Sequence, residues 1–555
     1  MTVTVAERRQ AVRARFPAWT PRTLDGALDH AARHFAERPY VITDALTLTY
    51  GQVRRRSQRI AGALRDLGVG KGDHVALVLA NFPDFVAIKY AIARVGATCV
   101  PINYLNRRDE LGYVLRQSDA RLLITMDRFR GLDYLKALDE LAPGWAQGGG
   151  GGAFPLLCKV IVFPTSGEPL REGATPFSAL TQSVASFAGL PDADPHAVSD
   201  IIYTSGTTGA PKGVMLTHDM LLRAAFGSVY GRAFDDAWRV AFSLPMYHVY
   251  GYVEGMLTVP FVGGAIIPQL QFDAAATLDA IETHRADDVL LVPTMTRMAL
   301  DEQRARPRPL KTLRAVLSSG QRSPASVWPE IFELLHPAEV TTGYGMTEVT
   351  ATTTLTRPDD AHARLTTNGR VRDAALVDYR LVDPDTGRVC EAGEIGELMA
   401  KGPGVTAGYY KNPEATRQAF DAEGWFRTGD LGRFDAQGYL TLVGRRKESY
   451  RCGAEQVLPT EVEDVLTSHP AVLQAHVVPV PDRKMGEAGA AFVVLRATPA
   501  VTPDELMRLC AERLARFKVP KYVLPIAVED LPTTPSGRAR KFLLTQRAVE
   551  QLGLS

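Results

Sequence analysis

Along residues 17–145 the apolar positions switch repeatedly between a helical period and short continuous runs, and this order predicts a parallel sheet with helical crossovers. Val53, Ile60, Leu64 and Leu67 fall on one face of a predicted helix, while Arg54, Arg55, Arg56 and Arg59 fall mostly elsewhere as a solvated face. Apolar runs at residues 75–80 and 95–101 read as buried strands. Residues 148–152 are five consecutive glycines, whose entropic cost in a helix or strand predicts a mobile surface loop. A strand returns at residues 158–163, and residues 290–294 and 313–320 read as strands ending in loops, where α/β proteins place ligand contacts. Residues 368–371, 393–398 and 402–410 predict the short strands and turns of a small β-rich subdomain. From residue 444 onward short strands and helices alternate as in a small α+β domain, with a helix start near Pro459.

Length changes this picture, because 555 residues exceed one compact domain and suggest about three or four domain-sized units. Lys plus Arg number 63 against 62 for Asp plus Glu, a balance that asks for no nucleic-acid partner. The five cysteines are widely spaced without a metal-ligand pattern, which fits a reducing interior. The first sixteen residues carry arginines but no apolar core, so no secretory signal is expected. The stretch most suspect as a span, residues 253–268, is interrupted by Glu254, Pro260 and a glycine pair, so no membrane span is expected. A soluble cytoplasmic protein is the expectation.

Chemistry concentrates first in residues 203–217. Thr204, Ser205, Gly206, Thr207, Thr208, Gly209 and Lys212 stand between an apolar run and a helix-like run, where a strand-loop-helix transition is expected. Glycines let backbone N–H groups converge on an anion, and hydroxyls and a lysine add donors, which is the chemistry of a phosphate cradle. A Walker-type loop is disfavoured because the segment lacks the Gly-Lys-Ser/Thr ending. A ligand-free Ser/Gly loop rarely carries Pro-Lys at its centre, as Pro211 and Lys212 do here.

The second concentration is residues 341–348. Gly343 and Gly345 would let a flat purine and ribose approach the backbone, Tyr344 offers a stacking face, Met346 lies between, Thr347 is a phosphate donor and Glu348 a hard oxygen ligand for Mg²⁺. Asp430 follows a turn and can accept two hydrogen bonds from vicinal ribose hydroxyls.

These motifs, in this order, resemble the adenylate-forming superfamily of acyl-CoA synthetases, adenylation domains and luciferases. The resemblance implies a large N-terminal α/β body over residues 1–443, a hinge at 444–448 and a mobile α+β lid over 449–555. It implies that Thr204 and Lys212 act on phosphate, that His248 contacts the acyl group, and that Gly320 and Gln321 lie near adenine and acyl group. Gln321 and Arg322 are more polar than the family's usual residues there. Lys447 matches the family's hinge pivot, Arg445 its nucleotide-contacting arginine, and Gly453 with Ala454 the edge of its pantetheine channel, where Ala454 replaces a glycine.

The reaction so implied joins a carboxylic acid to coenzyme A through an acyl-adenylate, using ATP and Mg²⁺. One departure is sharp: Arg538 stands where the family has the lysine that reaches the carboxylate and α-phosphate during adenylation. A planar guanidinium does not replace a compact ammonium at a close-fitting site. The expectation is an enzyme specialised for acyl-AMP plus CoA, with the adenylate or its acid as small-molecule partner and an upstream adenylating enzyme as a possible source. Alternatives are a complete two-step synthetase with Arg538 or Lys541 in the role, a carrier-protein-loading ligase, and a non-catalytic acyl-adenylate-binding protein. The pocket departures suggest an aromatic, alicyclic or bulky natural-product acid.

Overall fold

The computed structural model describes residues 3–204, 211–321, 323–372, 376–453, 455–496, 500–533 and 539–554. Among these residues the N-terminal part holds two seven-stranded sheets. The first runs Lys212–Thr217, Val198–Thr204, Thr98–Pro101, His74–Val78, Ala120–Met126, Lys159–Phe163 and Thr175–Pro176, parallel except for its first pair. The second runs Glu339–Thr341, Ala315–Ser318, Asp288–Leu291, Arg239–Phe242, Ala265–Pro268, Pro39–Ile42 and Thr47–Thr49, parallel except for its last pair. The buried strand runs are continuous rather than alternating because both faces of a parallel sheet are covered.

Helix Tyr50–Asp66 shows how the pattern becomes packing. Thr49 caps it by accepting from the Gln52 N–H while Gln52 reaches back to the Thr49 N–H, and Val53, Ile60 and Leu64 are fully buried. Leu67, expected on the same face, is instead the exposed residue just past the helix end. The glycine run also differs from expectation. Gly148 closes a short helical turn, and Gly149 and Gly150 are buried, the latter donating its N–H to the Leu157 carbonyl at 2.7 Å. A Cβ on either would lie 2.3 Å from a carbonyl oxygen, so these glycines serve close backbone packing rather than a loose loop.

Three smaller sheets follow. Gly343–Met346, Ala351–Leu355 and Arg370–Val371 form one, and Asp378–Val382, Gly396–Lys401, Phe426–Phe434 and Leu440–Arg445 form an antiparallel four-stranded one, the expected β-rich part. The C-terminal sheet is built on the long hairpin Val472–Asp482 and Gly486–Leu495, with Tyr450–Cys452, Glu455–Val457 and Tyr522–Pro525 beside it. Its two apolar cores contain only buried residues from Tyr450 onward, and the cores of the preceding part contain none beyond Leu440. The chain passes from one to the other through a turn at residues 446–448.

Candidate active site

The phosphate stretch is framed by a β-hairpin, not by a strand and a helix. Thr204 pairs across from Lys212 and Tyr203 from Gly213, and the helix His218–Gly231 begins only after Thr217, which caps it. Val214 and Leu216 are buried while Met215 and Thr217 are partly exposed, the alternation that makes this segment a strand. Ser205, Gly206, Thr207, Thr208 and Gly209 lie outside the described residues. The Lys212 ammonium sits 4.9 Å from the centroid of the Tyr409 ring, a cation–π approach from the same strand that the Tyr409 backbone bridges at Val214.

Tyr409 joins this arm to the second motif, because its hydroxyl donates to Glu348 Oε1 at 3.1 Å. Glu348 is buried in the short 3₁₀ turn Thr347–Val349, and burial raises its carboxyl pKa against the opposing pull of its hydrogen bonds. Beyond that turn Thr350 and Ala351 both have left-handed backbone, at φ 60° and 70°. Non-glycine residues rarely adopt that region, and such strain persists only where surrounding contacts hold it. Here the Thr350 hydroxyl donates to the Gly404 carbonyl at 2.8 Å, and Thr406 N–H to the Glu348 carbonyl at 2.8 Å.

The glycines of this motif have a structural cause that the sequence reading did not include. A Cβ on Gly345 would lie 1.7 Å from the Ala351 carbonyl oxygen, and one on Gly343 would lie 2.3 Å from that of Thr354. Both positions are closed to side chains by the facing strand. Gly345 and Met346 nonetheless keep an exposed edge, and Thr347 is buried beside Glu348. Tyr344 is buried and donates its hydroxyl to Asp430 at 2.7 Å, so the structure brings together the residue expected to stack and the residue expected to hold ribose. Arg445 places Nε 2.8 Å from the other Asp430 oxygen.

On the acyl side expected from the sequence, His248 opens the segment before the π-helix Tyr250–Met256, and its Nδ1 accepts the Tyr250 N–H at 3.2 Å. Burial lowers the His248 pKa to about 4, so the ring is neutral at pH 7. The Tyr250 hydroxyl donates to the Leu291 carbonyl at 3.0 Å, at the end of one of the two strands expected to finish in ligand loops. Gly320 follows the other with φ 93°, and Ser319 beside it donates to the Gly343 carbonyl at 2.8 Å. Gln321 is partly exposed next to it, and Arg322 lies outside the described residues. Tyr409, Tyr250 and Ser319 were not singled out from the sequence. Tyr409 and Ser319 stand in residues 402–410 and 313–320, but nothing in their spacing marks a contact.

The turn at 446–448 leaves Lys447 exposed, while Arg446 pairs with Glu397 at 2.9 Å. Gly453 has φ 67° and donates its N–H to the Met485 carbonyl at 2.8 Å; Ala454 and Arg538 lie outside the described residues. Lys541 is the first residue of helix Lys541–Leu552, with Nζ 2.7 Å from Glu463 and 3.4 Å from Glu448. Lys518 and Lys521 are likewise paired, with Glu461 at 2.8 Å and Asp482 at 2.7 Å. Thr533 and Arg540 face the N-terminal part across a cleft of about 790 Å³ that is also lined by Asn103, Arg107 and Glu140.

Among the described residues no group of three or more His, Cys, Asp or Glu forms a metal cage. Glu348, expected from the sequence to meet Mg²⁺, is therefore not part of such a cage; Mg²⁺ is commonly bound through one or two carboxylates and substrate phosphates. No described helix is long and apolar enough to cross a membrane.

The AMP-binding enzyme family matches residues 28–410, and the C-terminal domain of AMP-binding enzymes matches residues 461–538. A putative acyl-CoA synthetase of Bacillus subtilis is 35% identical over 546 residues, covering 96% of this chain and 98% of that protein. A mitochondrial medium-chain acyl-CoA ligase of Danio rerio is 30% identical, covering 96% and 89%. Among solved structures, ATP-bound MatB from Rhodopseudomonas palustris superposes with a TM-score of 0.82 at 27% identity, covering 94% of this chain and 99% of that one. The chain belongs to the family of AMP-binding enzymes, on the acyl-CoA synthetase branch of the adenylate-forming superfamily.

Proposed function

We propose that this enzyme forms acyl-CoA thioesters through an acyl-adenylate and is specialised for the second half of that reaction. In the first half a substrate carboxylate oxygen attacks the α-phosphorus of ATP, the bond to the β-phosphate bridging oxygen breaks, and pyrophosphate leaves. In the second the CoA sulfur attacks the acyl carbon, the bond to the phosphate oxygen breaks, AMP leaves, and the thiol proton passes to solvent. Lys212 and Thr204 would face phosphate, Asp430 the ribose, and the edge at Gly345 and Met346 the base, with Gly320, Gln321 and His248 toward the acyl group. Mg²⁺, held by Glu348, would neutralise phosphate charge when bound.

The specialisation rests on reading Arg538, from the resemblance of the C-terminal signature, as the counterpart of the family's lysine, together with the observed pairing of Lys541. Lys541 is the nearest alternative ammonium in the C-terminal signature, but it is held by Glu463 and Glu448 at the start of its own helix. Loss of one well-placed charge-stabilising donor costs on the order of 3 kcal/mol, about a hundredfold in rate. The adenylate contains its activation already, so the second half needs chiefly a positioned thiol. The residues from Gly444 to Glu448 would form the hinge about which residues 449–555 turn between halves, with Lys447 as pivot and the channel for the thiol beside Gly453 and Ala454.

A synthetic acyl-adenylate with CoA is expected to yield thioester about a hundredfold faster than acid, ATP and CoA do. Comparable rates from both starting points, or brisk acid-dependent exchange of pyrophosphate into ATP, would establish a complete two-step synthetase instead.

A further inference from the structure

Glu254 stands in an apolar stretch of the chain, and the fold buries it completely. It lies in the π-helix Tyr250–Met256, just after His248. Three donors from three other elements converge on its carboxylate. Ser228, in helix His218–Gly231, gives its hydroxyl; Thr352, in strand Ala351–Leu355, gives its N–H at 3.3 Å; and Arg372, next to strand Arg370–Val371, gives Nη1 at 3.2 Å. The Arg372 side chain is itself 2% exposed and donates Nη2 to the Ala224 carbonyl at 2.8 Å. Gly227 makes room for it, since a Cβ there would lie 3.2 Å from Arg372 Nε.

A buried ion pair is rarely the most stabilising filling for a core, because desolvation offsets the attraction between the charges; its best-attested use is to set register between elements. The elements joined here have that relation to the site. Thr352 pairs across from Gly345 and follows the two left-handed residues Thr350 and Ala351, at a point where the ladder shifts register. Its N–H is taken by Glu254, so the carboxylate fixes the strand that backs the Gly345 edge. The same carboxylate is anchored in the helix that continues from His248 and Tyr250. Helix His218–Gly231 in turn follows directly from the Lys212 strand.

We propose that Glu254 and Arg372 are positioning residues, a buried charge pair that holds the acyl side and the nucleotide side of the site in one register and so favours ligands that span both. The inference rests on the acyl and nucleotide assignments made above. Both side chains are buried, at 2% and 0% exposed, so they act through the elements they join. Removing the pair lets the two sides shift relative to each other while each keeps its own contacts.

The test uses the full chain and calorimetric titration with AMP and with two non-hydrolysable adenylate mimics, octanoyl- and benzoyl-sulfamoyladenosine. The neutral double variant Glu254→Gln/Arg372→Met is expected to bind AMP within about twofold of the parent while the tighter-binding mimic is weakened about tenfold or more. Glu254→Asp keeps the charge but withdraws the carboxylate from the Thr352 N–H, and the same selective loss is expected, so the result does not depend on the double variant accumulating. Loss of AMP and mimic in equal proportion, or no loss of either, overturns the inference. A parent that binds no AMP overturns the nucleotide assignment itself. A parent that binds AMP but neither mimic more tightly removes the acyl assignment, and the register argument with it.

Discussion

The hydroxyl of Tyr344 donates to Asp430 at 2.7 Å, joining the glycine-flanked strand Gly343–Met346 to the four-stranded sheet that leads into the turn at residues 446–448. With Arg445 2.8 Å from its second oxygen, Asp430 has both acceptor oxygens engaged before any ribose arrives. Each oxygen keeps a further lone pair, so the ribose diol proposed to bind here is accepted beside these partners, and Arg445 is the partner attached to the residues proposed to move.

Asp430→Ala therefore removes the acceptor of two ribose hydrogen bonds, each worth about 1.5–3 kcal/mol to a charged group, partly offset by releasing Arg445. AMP affinity is expected to fall at least about tenfold, which corresponds to about 1.4 kcal/mol. The parent should prefer AMP over 2′,3′-dideoxy-AMP, and the variant should lose that preference. Equal affinity of the parent for the two nucleotides, measured by calorimetry, would remove Asp430 from the ribose site.

With Glu348 as the proposed Mg²⁺ ligand, its charge distinguishes the two proposed half-reactions. Glu348→Gln keeps the shape and the acceptor for the Tyr409 hydroxyl but removes the charge, so Mg²⁺-dependent tightening of ATP binding is expected to disappear. Thioester formation from a supplied adenylate should stay within about threefold of the parent, because no polyphosphate charge remains to be neutralised. Burial raises the Glu348 carboxyl, so its charged form is lost as pH falls at a higher pH than for an ordinary glutamate. ATP binding with Mg²⁺ should weaken on that acid side sooner than binding without Mg²⁺. Parallel pH profiles with and without the metal would count against the ligand role.

Much of the body was legible because its strands are buried on both faces and its helices on one, so period and composition report burial directly. Residues 75–80, 158–163 and 313–320 became strands for that reason. What was not legible depends on pairing between distant segments. The segment 212–217 reads as part of a loop leading into a helix, yet its edge is taken by Val198–Thr204, and that pairing makes it a strand. Gly149 and Gly150 read as loose because their close neighbours, the Leu157 and Phe154 carbonyls, lie in backbone that no composition rule sees. Within the site, residue types and motif order pointed to Tyr344, Glu348 and Asp430, whereas their mutual contacts, and Tyr409 between Lys212 and Glu348, exist only once four separate segments have folded together.

Arg538→Lys is the sharpest probe of specialisation because it changes one side chain and keeps its charge. If the guanidinium is what limits the first half-reaction, an ammonium at that position recovers a donor worth on the order of 3 kcal/mol, and acid- and ATP-dependent thioester formation should rise about a hundredfold. The rate from a supplied adenylate should stay within about twofold, since the second half proceeds without that donor. Lys541→Ala supplies the complementary arm. Its ammonium is held by Glu463 and Glu448, so the substitution should lower thermal stability of the C-terminal part without further lowering adenylation. Pyrophosphate exchange and adenylate-dependent thioester formation, measured side by side on the parent and both variants, decide the matter: exchange already fast in the parent and abolished by Lys541→Ala would assign the adenylation role to Lys541 and leave Arg538 a neutral replacement.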